Sequence, residues 1–492
     1  MMSIRPVSVP EVRTAVSITI DDLAELPIEE LTRAYRDGSL DPVDVLTTTL
    51  TQIDAVNPTI NAIYDLRREE AIAEAEAARQ RYREGRSTGP LDGVPVTIKD
   101  SIHAVGMRWH HGSAAHGDGV LGTVDAPPTQ RLRAAGAIIL AKCTMPDYGL
   151  SASGVSSFHG IIRNPWGIEF TPGGSSAGAG ASLAAGIAMA SIGSDIAGSV
   201  RLPAAHCGLV ALKPTQGMIA HTPASDVRSA GPMARHAVDL ALLLRVLGGV
   251  HPDDRFSVPV VEDVGLGRGK GSGERLRVGA CVDFGFGPPV QDSVRAVFDD
   301  AIAALEEDGV LVERIDRAPY DGDAYLPMDD SFRLRGWREY AGSRDPDATP
   351  QALVDWFRPA EGWDQARIAQ METDLARGVL QTNALMSRFD ALLTPALPVV
   401  TFPADRLGPD ESMPLRHCTF TAPFNQSGHP AVSLPGGLDD AGLPIGVQLV
   451  GHRFSDLGLL ALAVRLDAGL RRAVGRPAWP TTPIRLSERT VR

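Results

Sequence analysis

Short apolar runs alternate with helical patterns along much of this chain, and this alternation restricts the fold more than any other feature of the sequence. Beyond Gly89 glycine and proline bound the apolar runs, which is typical of buried strands or short helices. The runs are Val94–Ile98, Ala137–Ala141, Ala188–Ile192 and Leu209–Leu212. Strands that alternate with helices predict a largely parallel sheet covered by helices on both faces. Catalytic residues are then expected in loops at the carboxyl ends of the strands.

Helical patterns dominate the first 88 residues. The spacing of apolar residues predicts helices over Pro27–Tyr35, Val43–Val56 and Arg67–Arg86. Asp41 before Pro42 is a typical N-cap with proline in the first helical position. The pair Asn57-Pro58 is predicted to end the second helix.

The later part of the chain adds one more strand and several helices. The glycine-rich segment Gly265–Gly273 is predicted to be a flexible connection, followed by a strand over Leu276–Val282 and a helix from Gln291 to Asp308. Residues 320–388 are largely helical in pattern and contain Trp337, Trp356 and Trp363. For these tryptophans, core packing is favoured over a wall that faces the substrate.

Composition and charge exclude several classes of function. A 492-residue chain that is 43% hydrophobic can bury a large core. A formal charge of −13 repels a phosphate backbone, so we expect no nucleic-acid partner. The N-terminus lacks the apolar core of a signal peptide, and no run approaches the roughly 18 apolar residues of a membrane span, so a cytoplasmic protein without membrane contact is expected.

No metal or cofactor is predicted. The four cysteines lie far apart and form no C-x-x-C pair, so neither a zinc site nor a disulfide framework is indicated. Histidines in a glycine-rich loop are more often pocket or surface residues than metal ligands. This applies to His110, His111 and His116.

Two glycine-rich segments each place serines on a tight backbone, Thr171–Gly178 and Ser194–Arg201. In the second, consecutive backbone amides that start at Ile196 and end at Ser199 can converge on a developing oxyanion. Flexible linkers have similar composition. The apolar run Leu183–Ile192 joins the two segments, however, which favours a position in the core.

One alternative concerns Ser176. It lies at the centre of Gly174–Gly178, which matches the G-x-S-x-G nucleophile elbow of an α/β-hydrolase esterase. An elbow needs a strand directly before it, whereas residues 163–172 contain two prolines and are predicted to form a loop. Histidines follow further along the chain, so a histidine triad stays open as an alternative.

A third segment, Gly89–Asp100, is an apolar strand that ends on Lys99. Together the three segments resemble the hallmarks of the amidase signature enzymes, a lysine strand, a paired-serine segment and a nucleophile loop. In this chain they are Gly93–Asp100, Gly173–Gly178 and Asp195–Ser199.

The resemblance implies a fold of class α/β, a single α/β/α domain over residues 1–492 around a large, mostly parallel, twisted mixed sheet. Its expected parts are a helical N-terminal part (about 20–88), a signature core (about 89–250), a variable, partly helical region (about 251–388) and a C-terminal return to the core (about 389–492).

The resemblance also implies a Ser-cisSer-Lys triad without a cofactor. Ser199 is the expected nucleophile, Ser175 the proton relay after a cis peptide bond, and neutral Lys99 the base. A free lysine has a pKa of about 10.4, so a base near neutrality requires a depression of roughly 3 units, which burial can provide.

Further roles follow from the same likeness. The expected oxyanion donors are the amides of Ile196, Ala197, Gly198 and Ser199, and the expected supporting residues are Ser176, Asp195, Gly173 and Gly174. Ala197 stands where the family has a glycine. Its N–H is retained, but a positive φ is disfavoured for alanine, so the oxyanion geometry depends on the backbone there.

The expected activity is hydrolysis of the C–N bond of a small amide, with an aryl amide or a carbamate (urethane) preferred because of the tryptophans of the variable region. One alternative is the glutamine-hydrolysing subunit of a Gln-tRNA amidotransferase, which acts with partners. Another is a non-catalytic relative, against which the presence of Lys99, Ser175 and Ser199 argues. A homodimer stays open.

Overall fold

Eleven of the described strands form one large sheet. The structure is a computed structural model that describes residues 18–262, 266, 275–475 and 477–486. Its strands, in chain order, are β1 (Ile63–Tyr64), β2 (Pro95–Lys99), β3 (Arg108–Trp109), β4 (Val120–Leu121), β5 (Ile138–Cys143), β6 (Val155–Ser156), β7 (Gly160–Ile161), β8 (Ala190–Asp195), β9 (Val210–Lys213), β10 (Ser229–Ala234), β11 (Arg277–Cys281), β12 (Leu311–Ile315), β13 (Ala391–Pro395), β14 (Ala431–Leu438) and β15 (Pro444–Gly451). The order across the large sheet is β1-β5-β2-β8-β10-β9-β14-β15-β13-β11-β12, while β3-β4 and β6-β7 form small separate ladders.

Parallel pairing occurs in two groups of strands. On one side β5, β2 and β8 run parallel to each other, and on the other side β13, β11 and β12 do. The strands between these groups, and β1 at one edge, pair antiparallel. The predicted α/β fold around one large mixed sheet is confirmed.

Helices cover both faces of this sheet. They are α1 (Ile20–Glu25), α2 (Ile28–Asp37), α3 (Pro42–Ile60), α4 (Arg68–Arg83), α5 (Pro127–Ala134), α6 (Ala177–Ala184), α7 (Arg201–Cys207), α8 (Ala237–Leu247), α9 (Asp292–Glu307), α10 (Tyr325–Ala341), α11 (Gln351–Phe357), α12 (Gln365–Met386), α13 (Ala422–Gln426) and α14 (Asp456–Val474).

Alternate residues of the central strands enter two separate cores, as the two-residue period of a strand requires. In and beside β9, Val210 and Leu212 join a core with α8, α9 and α14, whereas Leu209 and Ala211 join a core with α3, α4 and α6. Because both faces are buried, these strands carry nearly continuous apolar runs, which is the pattern seen in the sequence.

The expected end of the second helix was wrong. Helix α3 continues through Pro58 to Ile60, and Asn61 closes it in the left-handed conformation. The Asn57 carbonyl accepts from the Asn61 N–H (2.8 Å), and the Asn57 side chain accepts from the N–H groups of Ala62 and Ile63. These bonds stabilise one further turn although proline lacks an N–H. The predicted N-cap is confirmed, since Asp41 accepts from the Val43 N–H.

All four predicted parts of the chain contribute strands to the large sheet, from β1 in the first part to β13–β15 in the last. The boundaries between these parts stay predictions. The predicted connection Gly265–Gly273 lies, apart from Leu266, outside the described residues. Within the described ranges, no helix is long and apolar enough to span a membrane.

Candidate active site

The carboxyl ends of β2 and β8 lie side by side at one edge of the sheet. Lys99 is the last residue of β2 and Asp195 the last residue of β8, and these strands run parallel. The antiparallel neighbour β10 begins opposite the end of β8, with Ser229 paired to Asp195. Loops next to β2, β8 and β10 therefore meet at this edge. For β2 and β8 this is the carboxyl end of the strand, where the sequence analysis expected catalytic residues.

Glycines allow the paired-serine segment to pass through a narrow part of the core. The peptide bond between Gly174 and Ser175 is cis, as the resemblance implied. A Cβ on Gly174 would lie 2.3 Å from the Ser153 carbonyl oxygen, which no larger residue tolerates. Gly173 has φ +80°, a conformation that favours glycine.

Lys99 bonds to the side chains of both serine segments. Its Nζ lies 2.8 Å from Ser175 Oγ and 3.2 Å from Ser194 Oγ, and it also lies 3.4 Å from the Ser194 carbonyl oxygen. The Lys99 side chain is 1% exposed. The ammonium position is thus fixed between hydroxyl groups and is removed from bulk water.

Burial lowers the pKa of Lys99 from 10.5 to about 7. Asp195 opposes this shift, and the positive charges of Arg335 and Arg228 add to it. A depression of this size was predicted from the chemistry that a neutral base requires. The lowered pKa favours the neutral amine near neutral pH, and a neutral amine can accept a proton.

Asp195 holds the nucleophile loop through its carboxylate. Its Oδ1 accepts from the Gly198 N–H (2.7 Å), and its Oδ2 accepts from the Val200 N–H (3.2 Å). The guanidinium of Arg201 pairs with the same carboxylate at 2.9 Å, with both side chains fully buried. Asn425 donates to Asp195 from the far end of the chain. These contacts hold the pKa of Asp195 well below its usual range, although burial alone would raise it.

The backbone conformation of the nucleophile loop accommodates alanine at position 197 but not at position 198. Gly198 has φ +124°, and a Cβ there would lie 2.5 Å from Thr421 Oγ1. Ala197 is not among the described residues with a positive φ, so its side chain fits without backbone strain. The Ala197 carbonyl accepts from the Thr421 hydroxyl at 2.6 Å.

One expected oxyanion donor is already used. The Gly198 N–H donates to Asp195, so it is committed to the loop itself. Of the four amides that the sequence suggested, Ile196, Ala197 and Ser199 are left as candidates for an oxyanion.

The two serine segments meet at a shared cavity. The Ser176 N–H donates to the Ser199 carbonyl (3.1 Å), which ties the segments together backbone to backbone. The cavity brings the expected nucleophile, relay and base together. Its lining consists of Lys99, Ser101, His111, Met145, Gly149, Ser175, Ser194, Ile196, Ser199, Arg228 and Arg335.

The nucleophile-elbow interpretation of Ser176 was wrong. Residues 162–176 contain no strand of the large sheet, so Ser176 is not placed on a strand-to-helix turn. Ser176 instead precedes α6, is fully buried, and its hydroxyl donates to the Ser194 carbonyl at 3.4 Å. A buried hydroxyl that bonds to the backbone supports the fold of the segment.

Several residues of this site were missed in the sequence. Ser194 lies inside the second serine segment, but nothing in the sequence indicates its contact with Lys99. Arg228 and Arg335 come from distant parts of the chain, the start of β10 and helix α10. No motif marks them, because their position beside Lys99 results from strand order and helix packing.

The three tryptophans of the variable region do not line this cavity. Trp356 is 5% exposed and packs in an apolar cluster with Phe332 and Phe357, while Trp337 and Trp363 pack at the edge of a smaller cluster around Met371. They give no support for an aromatic substrate. Among the described residues, no group of histidine, cysteine and acidic side chains is arranged to hold a metal ion.

Comparison with known proteins identifies the family of this chain. The profile of the family described as Amidase matches residues 44–326 and 358–460. The chain belongs to the Amidase family, and the predicted class of enzyme, an amidase, is confirmed.

Relatives of this chain have more than one role. The chain is 33% identical to the A subunit of the Glutamyl-tRNA(Gln) amidotransferase of Geobacter metallireducens, over 90% of this chain and 96% of that protein. It is 31% identical to an acylamidase of Rhodococcus erythropolis, over 94% of this chain and 99% of that protein. The solved structure of a bacterial aryl acylamidase of the amidase signature family matches with a TM-score of 0.82 and 25% identity, over 93% of this chain and 98% of that one.

Proposed function

We propose that this protein hydrolyses the C–N bond of a small amide through Ser199, Ser175 and Lys99. The observation that carries the proposal is the 2.8 Å contact between Lys99 Nζ and Ser175 Oγ, in a cavity that Ser199 also lines. A hydroxyl is a weak nucleophile at neutral pH and needs a base nearby. Lys99, with a pKa lowered to about 7, has the properties of such a base.

In the first half of the reaction, the Ser199 hydroxyl attacks the amide carbonyl. Its proton passes to Ser175 Oγ, while the Ser175 proton passes to neutral Lys99. The negative charge that develops on the carbonyl oxygen is stabilised by backbone amides of the nucleophile loop, with Ile196, Ala197 and Ser199 as the candidates.

The leaving nitrogen then takes a proton back along the same route. Protonated Lys99 donates to Ser175, and Ser175 donates to the nitrogen as the C–N bond breaks. This leaves an acyl group on Ser199 and restores neutral Lys99. A water molecule, activated by the same pair, hydrolyses the ester and releases the carboxylic acid.

An aryl amide or a carbamate is the first substrate class to test. The likeness to an aryl acylamidase structure supports the aryl amide. The tryptophans that first suggested this substrate class do not line the cavity and no longer support it. A second candidate is glutamine hydrolysis within an amidotransferase, which the 33% identity to the Geobacter amidotransferase protein favours. That role would require partner subunits.

The test compares four purified proteins on three substrates. The proteins are the wild type, Ser199→Ala, Lys99→Ala and Ser176→Ala. The substrates are a neutral acyl p-nitroanilide, an alkyl carbamate of p-nitroaniline and glutamine. The measured products are nitroaniline from the first two and ammonia from glutamine. Ser199→Ala and Lys99→Ala are expected to lose nearly all activity, while Ser176→Ala keeps a measurable part of it.

The preferred substrate separates the two candidates. Nitroaniline release by the isolated chain supports an independent amidase. Ammonia release from glutamine with little activity on the other two supports the role in an amidotransferase. Full activity of Ser199→Ala would contradict the proposed mechanism.

A further inference from the structure

Two arginines that the proposed mechanism does not use face the catalytic cavity. Arg228 reaches it from the residue before β10, and Arg335 reaches it from helix α10. Two guanidinium groups at one small cavity are unusual for an enzyme whose reacting amide is neutral. Their contacts show how each is held.

Each arginine is anchored on one side and keeps one buried nitrogen without a partner. Arg228 Nη2 donates to the Pro223 carbonyl, and Arg335 Nη2 donates to the Tyr148 carbonyl at 2.8 Å. Arg228 Nε and Arg335 Nη1 are buried and have no hydrogen-bond partner among the described residues. A buried donor without a partner is unfavourable, so a ligand that accepts from both would relieve this cost.

The charges around the cavity are only partly balanced. Glu339 accepts from Arg335 at 3.3 Å and lies 3.3 Å from His111 Nδ1. No ion pair joins Arg228 to any of the described carboxylates. Glu339 and Asp254 act on Arg228 electrostatically without forming an ion pair with it, so neither occupies the free donor of Arg228, and an anion can approach it.

We propose that Arg228 and Arg335 form a carboxylate-binding subsite beside Ser199, so that the preferred substrates are small amides that carry a carboxylate close to the scissile carbonyl. This inference rests on the proposed function and names its substrate class. A carboxylate has two charged oxygens that can accept from the free nitrogen of each arginine, Arg228 Nε and Arg335 Nη1, whereas a neutral acyl chain offers no such acceptor.

The experiment measures a ratio of rates on two p-nitroanilides of equal chain length. One carries a succinyl group, which ends in a carboxylate, and the other a butyryl group, which ends in a methyl. In the wild type kcat/KM is expected to be about tenfold to a hundredfold higher for the succinyl compound. Arg228→Gln is expected to bring the ratio close to one, whatever happens to the butyryl rate.

Two further variants control for charge and for folding. Arg228→Lys keeps the charge and loses the Nε donor, so an intermediate ratio is expected. Arg338→Gln changes an exposed arginine on the same helix as Arg335 and is expected to keep the wild-type ratio. Circular dichroism confirms that each variant is folded before its ratio is interpreted.

A binding measurement makes the test independent of turnover. Calorimetry compares succinamate with butyramide on Ser199→Ala and on Ser199→Ala with Arg228→Gln. A loss of about tenfold in succinamate affinity in the double variant supports the subsite. Equal affinity in both proteins, or a wild-type rate ratio near one, overturns it. If neither anilide is hydrolysed, the proposed function fails, and the binding result still decides whether the subsite exists.

Discussion

Lys99 and Lys213 end two strands of the same sheet and are equally buried, but their surroundings differ. They are 1% and 0% exposed, and burial is the main cause that lowers the pKa of each to about 7. Lys99 bonds to the Ser175 and Ser194 hydroxyls, whereas Lys213 Nζ donates to the Pro214 carbonyl at 2.8 Å. In the described part of the chain no serine hydroxyl bonds to Lys213.

The difference shows that a depressed pKa does not by itself identify a base. Perturbed pKa values are common at functional sites, but burial produces them elsewhere too. What separates Lys99 is a hydroxyl 2.8 Å from its Nζ and a position on a cavity that Ser199 also lines. Substitutions of the two lysines, and of residues in the loop beside Lys99, test whether this difference in surroundings determines activity.

The largest expected effect comes from exchanging each lysine for methionine, which has a similar length and no charge. Lys99→Met is expected to lower kcat/KM on a neutral acyl p-nitroanilide by about 10²–10⁴-fold, since it removes the proposed general base. Lys213→Met is expected to stay within about threefold of the wild type, because Lys213 contacts no reacting group. Steady-state kinetics on both folded variants checks this. Comparable losses of kcat/KM in both variants would contradict the distinction between the two lysines.

An intermediate effect is expected in the loop beside Lys99. In Gly198→Ala the new Cβ has to avoid Thr421 Oγ1, which lies 2.5 Å from its ideal position, and φ is +124°. The resulting displacement of Ser199 is expected to lower kcat by about tenfold to a hundredfold.

The matched control for that loop is Ala197→Gly. It is expected to lower stability by less than about 1 kcal/mol and to leave kcat close to that of the wild type. The comparison uses kcat together with urea unfolding of both variants. Equal kcat for Gly198→Ala and the wild type would show that the loop does not position the nucleophile.

A pH dependence of the wild type is also expected, and its size grows with the distance from pH 7. Protonated Lys99 cannot accept a proton, so kcat/KM is expected to fall about tenfold per pH unit below 7 and to level off above it. The acid limb reports Lys99 alone if the substrate is a neutral anilide. Lys213→Met is therefore expected to show the same limb. A profile that is flat from about pH 5.5 to 8.5, or a limb that moves in Lys213→Met, would argue against Lys99 as the base.

Part of the site could be predicted because its residues lie close together in the chain. The segments that contain Ser175 and Ser199 are joined by α6 and β8, and Lys99 ends a strand that is apolar throughout. The cis bond was implied by the family resemblance, and the lowered pKa of Lys99 followed from the requirement that a base near pH 7 be neutral. The accommodation of Ala197 could not be predicted, because it depends on the φ of that residue.

Two errors have the same origin, namely side-chain hydrogen bonds that the sequence does not show. The end of α3 was misplaced because side-chain bonds of Asn57 compensate for Pro58. Gly198 was counted as an oxyanion donor because the sequence does not show that Asp195 takes its N–H. The tryptophans pack in apolar clusters, as the favoured core-packing interpretation predicted, so only the substrate preference that was based on them loses its support.

The sequence by itself determined the alternation of strands and helices, the family, and the three residues that the proposed chemistry needs. The alternation depends on local pattern, whereas the family and the three residues follow from the resemblance carried by three short segments. Only the tertiary structure decided that Ser194 contacts Lys99, that Asn425 and Arg201 hold Asp195, and that Arg228 and Arg335 face the cavity. These contacts join residues that strand order brings to one sheet edge, and strand order is set by packing of the whole chain.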